Sequence, residues 1–103
     1  MDWISMSDAA IIEKLGRRIK EYRLRKRYTQ QELADRAGIS LFSVSKIERG
    51  QPVSISIIIT VLRALKLLDN LEMFLPEIGV SPIELMKLKG KTPQRIKRKK
   101  DNQ

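Results

Sequence analysis

The chemically active side chains of this 103-residue chain are mostly cations: 21 Lys and Arg stand against 12 Asp and Glu, for a formal net charge of +9. The sequence contains no His and no Cys, so it lacks the usual proton shuttle, a thiolate nucleophile, disulfides and cysteine–histidine zinc sites. Aromatic residues make up only 5% of the chain, which predicts a small aliphatic core. We therefore expect a single-domain binding protein with no enzymatic activity, cofactor or metal.

The positive charge lies in two blocks. Residues 14–27 and residues 87–103 each carry +7, whereas residues 1–13 carry −3 and residues 28–86 carry −2. This distribution indicates a basic patch and a basic tail on either side of a slightly acidic folded region.

No apolar run approaches the roughly 18 residues that a membrane span needs. The first twelve residues contain Asp2 and Asp8 instead of a basic start, so they do not have the pattern of a secretory signal. We expect a cytoplasmic protein without membrane contact.

Residues 30–47 have the spacing of two short helices joined by a tight turn. Ala34 is small enough for the helices to cross, Gly38 suits a turn with positive φ, and Val44 fills the angle between the helices. Leu33, Ala37, Ile39 and Ile47 complete the apolar pattern. This is the pattern of a DNA-binding helix-turn-helix. An αα-hairpin that contacts no DNA can have the same turn. Three features favour DNA binding: the basic block at 14–27, the short polar face that the second of these helices is expected to expose, and the Ile-Glu-Arg-Gly exit at 47–50.

The stretch from Thr29 to Ser40, followed by Val44 and by Lys-Ile-Glu-Arg-Gly at 46–50, closely resembles the lambda-repressor/Cro-type helix-turn-helix regulators. The resemblance covers about residues 13 to 75. It implies an all-α, five-helix lambda-repressor-like DNA-binding domain whose third helix enters the major groove of double-stranded DNA. A protein of this kind associates with the nucleoid when it is bound.

The resemblance also implies which positions of the third helix contact base edges. With Val44 and Ile47 facing inward, these positions are Leu41, Phe42, Ser43 and Lys46. Phe42 could contact a thymine methyl or pack beneath the first helix, and Lys46 could donate to guanine or only to phosphate. Serine hydroxyls accept either base type, so the operator sequence cannot be read from this helix. Relatives often have Gln or Arg in place of Leu41 and Phe42.

Phosphate contacts are expected at the start of the second helix, where unpaired N–H groups and the helix dipole favour an anion. Gln30 and Gln31 occupy this first turn, and the resemblance assigns a phosphate contact to the position of Gln30. The cationic candidates are Lys26, Arg27 and Arg49, with Arg25 as a further one.

Arg23 and Glu48 are assigned a different role. In repressors of this type, the matching Arg and Glu form a partly buried ion pair that joins the first helix to the end of the third. The resemblance therefore implies that Arg23 and Glu48 hold the fold together rather than contact DNA.

Capping signals and apolar spacing predict the helices that position these residues. A first helix is expected over residues 8–26 after a cap at Ser7 or Asp8, a second after the capping box Thr29–Glu32, and a third after Ser40. The predicted apolar stripe of the first helix consists of Ile12, Leu15, Ile19 and Tyr22.

Residues 54–68 have mixed signals, because the β-branched run at 57–61 has strand propensity. The apolar residues instead repeat at helical spacing over about four turns, which favours a fourth helix. Its stripe is Ile58, Val61, Leu62, Leu65 and Leu68. A short fifth helix is expected from Asp69 through Leu75, ended by Pro76, and a short sixth helix from Ser81 to Leu88.

These elements predict four segments: an N-terminal extension at 1–7, the helix-turn-helix domain at 8–76, a C-terminal extension at 77–89 and a disordered basic tail at 90–103. The tail could contact the DNA backbone or only keep the protein in solution. Trp3 has no clear role in this pattern.

One recognition helix buries too little surface for high specificity, so this family usually binds palindromic operators as a homodimer. Candidate contacts with a second copy or a partner are the apolar residues Leu71, Met73, Phe74, Leu75, Ile78, Val80, Ile83 and Leu85. For Leu71 and Phe74, completing the core of the monomer is an equal alternative. The leading hypothesis is a dimeric repressor of promoters, including its own.

A second hypothesis is an antitoxin. The segments 67–71, 75–77 and 81–85 are similar to HipB-type antitoxins, whose kinase-fold (HipA-like) toxin is encoded beside them. The chain would then bind that toxin protein and co-repress its own operon. RNA binding is not favoured, because the sequence offers no aromatic stacking platform.

Overall fold

The computed structural model describes residues 2–79, and every regular element within this range is helical. The α-helices are α1 at Asp8–Arg25, α2 at Gln30–Ala37, α3 at Leu41–Glu48, α4 at Ile55–Ala64 and α5 at Leu71–Phe74. Short 3-10 turns occupy Trp3–Ser5 and Leu68–Asn70. The predicted all-α fold of five helices is confirmed. The predicted sixth helix, the basic tail and the candidate contacts Val80, Ile83 and Leu85 lie outside the described residues.

Hydroxyl caps start the four longer helices. Ser7, Ser40 and Ser54 each accept a hydrogen bond from the backbone N–H three residues later. The predicted capping box at the start of α2 is complete: Glu32 N donates to Thr29 Oγ1 at 3.0 Å, and Thr29 N donates to Glu32 Oε1 at 2.7 Å. These bonds satisfy N–H groups that no helical carbonyl reaches, so local sequence alone sets where each helix begins.

The four longer helices enclose one aliphatic core within residues 2–70. Helix α2 packs against both α3 and α4, and α1 packs against α3. The buried apolar side chains are Ile19, Leu33, Ala34, Val44, Ile47, Val61 and Leu65. The β-branched run at 57–61 is helical as predicted: in a helix Ile58, Val61 and Leu65 share one face, whereas in a strand Ile58 would point away from the other two.

The predicted apolar stripe of α1 is partly wrong. Leu15 and Tyr22 are exposed, and the residues that α1 buries are Gly16, Ile19 and Arg23. The apolar pattern missed this face because one buried position has no side chain and another is charged. Both become favourable only through contacts with α3, which no periodicity within α1 can reveal.

Helix α4 ends at Ala64, before the predicted end at 68. Lys66 has φ +62°, and the N–H of Leu67 donates to the carbonyl of Leu62 at 2.8 Å. This is the Schellman arrangement, in which glycine normally holds the left-handed position. The same bond pattern ends α1 at Arg27, α2 at Gly38 and α3 at Gly50, so two of the four longer helices close on a residue other than glycine.

Replacing Lys66 with Gly is expected to raise the free energy of unfolding by about 0.5–1 kcal/mol, because a residue with a Cβ is strained at this φ. Thermal unfolding followed by circular dichroism measures the effect. Lys66→Ala is the matched control, since it removes the same charge but keeps the strain. Equal melting temperatures for the two variants would contradict this explanation.

The N-terminal turn is attached to α1. Asp2 caps the turn at Trp3–Ser5 by accepting from the N–H of Ile4 at 3.1 Å. The guanidinium of Arg18 lies 5.1 Å from the centroid of the Trp3 ring, a distance at which cation–π attraction acts. Trp3, which the sequence pattern left without a role, therefore packs against the basic helix.

Residues 71–79 belong to a second structural unit, which begins at Leu71. Helix α5 is a single turn, closed by the N–H of Leu75 donating to the carbonyl of Leu71 at 3.1 Å. It begins two residues later than predicted, because residues 68–70 form a 3-10 turn. Four large apolar side chains of this segment are exposed: Met73, Phe74, Leu75 and Ile78.

Candidate nucleic-acid interface

Helix α3 has one buried face and one exposed face. Val44 and Ile47 are buried against the core, whereas Leu41 is 44% exposed and Phe42 is 65% exposed. Phe42 therefore does not pack beneath the first helix, and this alternative is wrong. Ser43 and Lys46 are half-buried. Two core side chains thus fix the rotation of α3 and direct its first turn toward solvent.

A buried ion pair joins the end of α1 to the end of α3. Arg23 Nε donates to Glu48 Oε2 at 2.7 Å, and a terminal nitrogen of the same guanidinium donates to Glu48 Oε1 at 3.0 Å. The side chains are only 8% and 3% exposed, respectively. The other terminal nitrogen of Arg23 donates to the carbonyl of Tyr28 at 2.8 Å. The bidentate geometry fixes distance and orientation together.

Gln30 is a third member of this network. Its Nε2 donates to Glu48 Oε1 at 3.0 Å, so the first residue of α2 is tied to the last residue of α3. An amide group has a second N–H, and a phosphate contact by the side chain of Gln30 would use that one. The network places three helix ends together: the end of α1, the start of α2 and the end of α3. We call this arrangement the Glu48 junction.

The candidate phosphate-binding residues surround the Glu48 junction. Lys26 and Arg27 follow α1 directly, Gln31 lies in the first turn of α2, and Arg49 follows α3; all four are exposed. Arg49 Nε donates to Ser45 Oγ at 3.2 Å and to the Ser45 carbonyl at 3.3 Å, which holds this guanidinium against α3. Gln31 Nε2 donates to Asp35 Oδ1 at 2.8 Å.

The electrostatics of the junction favour an anion. The start of α2 carries N–H groups and the positive end of its dipole, and the exposed cations beside it have the same sign. Two carboxylates oppose an anion here: that of Glu48 is buried and neutralised by Arg23, and that of Glu32 is exposed in the first turn of α2, where it accepts from the N–H of Thr29. The arrangement can therefore hold a phosphate near the start of α2 while the first turn of α3 projects into solvent.

Gly16 supports this arrangement and was not singled out by sequence reasoning. A Cβ built on Gly16 would overlap the backbone carbonyl oxygen of Ile47, so α1 and α3 are in backbone contact there. The signal that could have revealed this contact is an isolated Gly inside a strong helical pattern. Gly destabilises a helix by about 1 kcal/mol relative to Ala, so its presence there indicates that another part of the chain approaches closely. The positions of both helices depend on this contact.

Within residues 2–79, no helix is long and apolar enough to cross a bilayer. The described part of the chain also brings no three acidic side chains into a cluster that could hold a metal ion.

Comparison with known proteins supports the assignment reached from the geometry. A family model described as Helix-turn-helix matches residues 19–68, a range that contains α2, α3, α4 and the whole Glu48 junction. The search of curated proteins returned no match. Residues 19–68 therefore form a helix-turn-helix domain of the lambda-repressor/Cro type, the kind found in DNA-binding regulators.

Proposed function

We propose that the chain is a sequence-specific repressor that binds palindromic double-stranded DNA as a homodimer, with α3 of each copy in the major groove. The observation that carries this proposal is the exposed first turn of α3, whose rotation is fixed by the buried Val44 and Ile47, on a helix whose other end joins the Glu48 junction and its surrounding cations. In this arrangement the junction binds phosphates and sets the register, while Leu41, Phe42, Ser43 and Lys46 contact base edges. Occupying a promoter in this way would block transcription, including that of its own gene.

The need for a dimer follows from the size of α3. Eight residues of α-helix span only about 12 Å, which covers a few base pairs. The exposed Met73, Phe74, Leu75 and Ile78 support a contact with a second copy, because adjacent large apolar side chains favour association. Two copies related by twofold symmetry would then read two half-sites about one helical turn apart.

Selection of bound DNA from a random pool at physiological salt tests this proposal. We expect a palindromic consensus with half-site centres about 10 base pairs apart. Enrichment of one unrepeated site would contradict dimeric binding. Enrichment of nothing above bulk DNA would contradict sequence-specific binding altogether.

The phosphate contacts make a separate prediction. Lys26→Ala and Arg49→Ala should each weaken binding to all DNA sequences alike and reduce the slope of log K against log salt by about 1. Titrations between about 50 and 200 mM salt measure the slope. Arg63→Ala on α4 removes an exposed cation outside the Glu48 junction and is the control. Unchanged slopes for both junction variants would remove these residues from the interface.

The dimer contact makes another prediction. The double variant Phe74→Ser/Ile78→Ser should sediment as a monomer, and its operator affinity should fall at least tenfold because two half-sites no longer bind together. Sedimentation velocity and DNA titration measure the two effects. Ile55→Ser, a change at an apolar side chain that is 66% exposed on α4, should leave both unchanged. A double variant that remains dimeric would place the interface elsewhere.

The same exposed segment supports a second candidate function, an antitoxin that binds a kinase-fold toxin and co-represses its operon. The exposed apolar side chains at 73–78 could pack against a partner protein as well as against a second copy of the chain. A kinase-like gene directly beside this one, and a complex between the two purified proteins that Phe74→Ser/Ile78→Ser abolishes, would support it. The absence of both would leave the free-standing repressor as the function.

A further inference from the structure

The first turn of α3 presents apolar rather than polar side chains to solvent. At 100° per residue, Phe42 lies opposite the buried pair Val44 and Ile47, so it points away from the core. Leu41 lies beside it and is also exposed. A side chain in this position on a recognition helix is the first to meet a base edge in the major groove.

Hydrogen-bonding groups near this turn are engaged within the protein. Ser40 Oγ accepts from the N–H of Ser43 and donates to Ser43 Oγ, both at 3.0 Å. Ser45 Oγ accepts from Arg49 Nε at 3.2 Å. Of the residues that make bidentate contacts with guanine or adenine, helix α3 contains no Arg, Asn or Gln and has only Lys46, which lies in its last turn. The first turn is therefore poorly equipped to read bases through hydrogen bonds.

The major groove offers one apolar group, the C5 methyl of thymine. Charge complementarity identifies DNA as the occupant of this surface, because the nearby segment 14–27 carries +7 and phosphate surrounds every base edge. We infer that Phe42 and Leu41 read pyrimidine C5 methyl groups, so that each half-site is specified mainly by thymine methyls. This inference rests on the proposed function and names what its reading helix recognises. If a cytosine takes the place of such a thymine, methylation of its C5 should then strengthen binding.

Replacement of thymine by uracil tests the inference, because it removes the methyl and changes no hydrogen-bonding group. Each thymine of the selected operator is replaced singly, and the dissociation constant is measured for the full-length protein. We expect a loss of about fourfold at one or two thymines in each half-site, the effect of one buried methyl. Phe42→Ala should remove this difference, so that the variant binds the thymine and uracil operators equally. Ile55→Ala, which removes a similarly exposed apolar side chain from α4, should leave the difference intact.

The outcomes separate this inference from the proposed function. If a palindromic operator is selected but uracil has no effect at any position, the methyl readout is wrong and the repressor proposal stands. If Phe42→Ala keeps the thymine preference at every position, another residue reads the methyl. A consensus without thymine in its half-sites also contradicts the inference. If no consensus emerges, the proposed function fails and the inference fails with it.

Discussion

Glu48→Gln is expected to lower the free energy of unfolding by about 3 kcal/mol and the melting temperature by more than about 10 °C. The substitution keeps the shape of the side chain but leaves the guanidinium of Arg23 buried without a counter-charge. The hydrogen bond from Gln30 Nε2 to Glu48 Oε1 also loses its carboxylate acceptor. The helix ends at the Glu48 junction should therefore be held less firmly as well as being less stable. Thermal unfolding measures the effect, and Glu21→Gln, the same change at an exposed carboxylate of α1, should leave the melting temperature unchanged.

A double-mutant cycle separates the interaction free energy of Arg23 and Glu48 from the effect of replacing either side chain alone. Arg23→Met alone leaves a buried carboxylate and should be as damaging as Glu48→Gln. The combination Arg23→Met/Glu48→Met buries no charge and should be more stable than the sum of the single changes predicts, by about 1–3 kcal/mol. Additive effects, or a melting temperature for Glu48→Gln equal to that of the parent, would show that the pair does not hold the helices together.

Gly16→Ala is expected to destabilise the fold by about 2 kcal/mol or more, although Ala is the better helix former by about 1 kcal/mol. The added Cβ overlaps the carbonyl oxygen of Ile47, and a backbone atom of a packed helix cannot move aside as a flexible side chain can. Helix α1 must therefore separate from α3. Because α1 carries Arg23, the change should also loosen the Glu48 junction and weaken DNA binding in the molecules that remain folded.

Thermal unfolding and operator titration of Gly16→Ala measure these two effects. Arg17→Ala is the matched control, because it introduces the same residue at the neighbouring exposed position of α1 and should change stability by less than about 0.5 kcal/mol. A Gly16→Ala protein that is as stable as the parent would mean that α1 and α3 are not in backbone contact.

The features that the sequence predicted well are local ones. The capping box Thr29–Glu32, the turn at Gly38 and the caps of α1 and α3 depend on residues within a few positions of one another, so their chemistry is visible in the chain. Val44 and Ile47 were placed inward by spacing alone. The helix-turn-helix itself is a combination of such local signals, which explains why the amino-acid sequence was enough to predict the fold.

The features that the sequence did not predict depend on contacts between helices. Gly16 is buried because α3 touches it, and Leu15 and Tyr22 lie outside the core because Gly16 and Arg23 occupy the inward face. The bond between Gln30 and Glu48 joins residues 18 positions apart. The Arg23–Glu48 pair was expected only through family resemblance, since nothing in the spacing of two residues 25 positions apart indicates that they meet.

We propose that the exposed first turn of α3 distinguishes an operator from other DNA. The most direct measurement compares dissociation constants for the selected operator and for scrambled DNA, at physiological salt, for the parent, for Leu41→Ala/Phe42→Ala and for Ile55→Ala. We predict that the parent and Ile55→Ala bind the operator at least about 10³-fold more tightly than scrambled DNA. The α3 double variant should lose most of this preference while keeping its melting temperature and its affinity for scrambled DNA. A double variant that still prefers the operator as strongly as the parent would contradict this role of the first turn of α3.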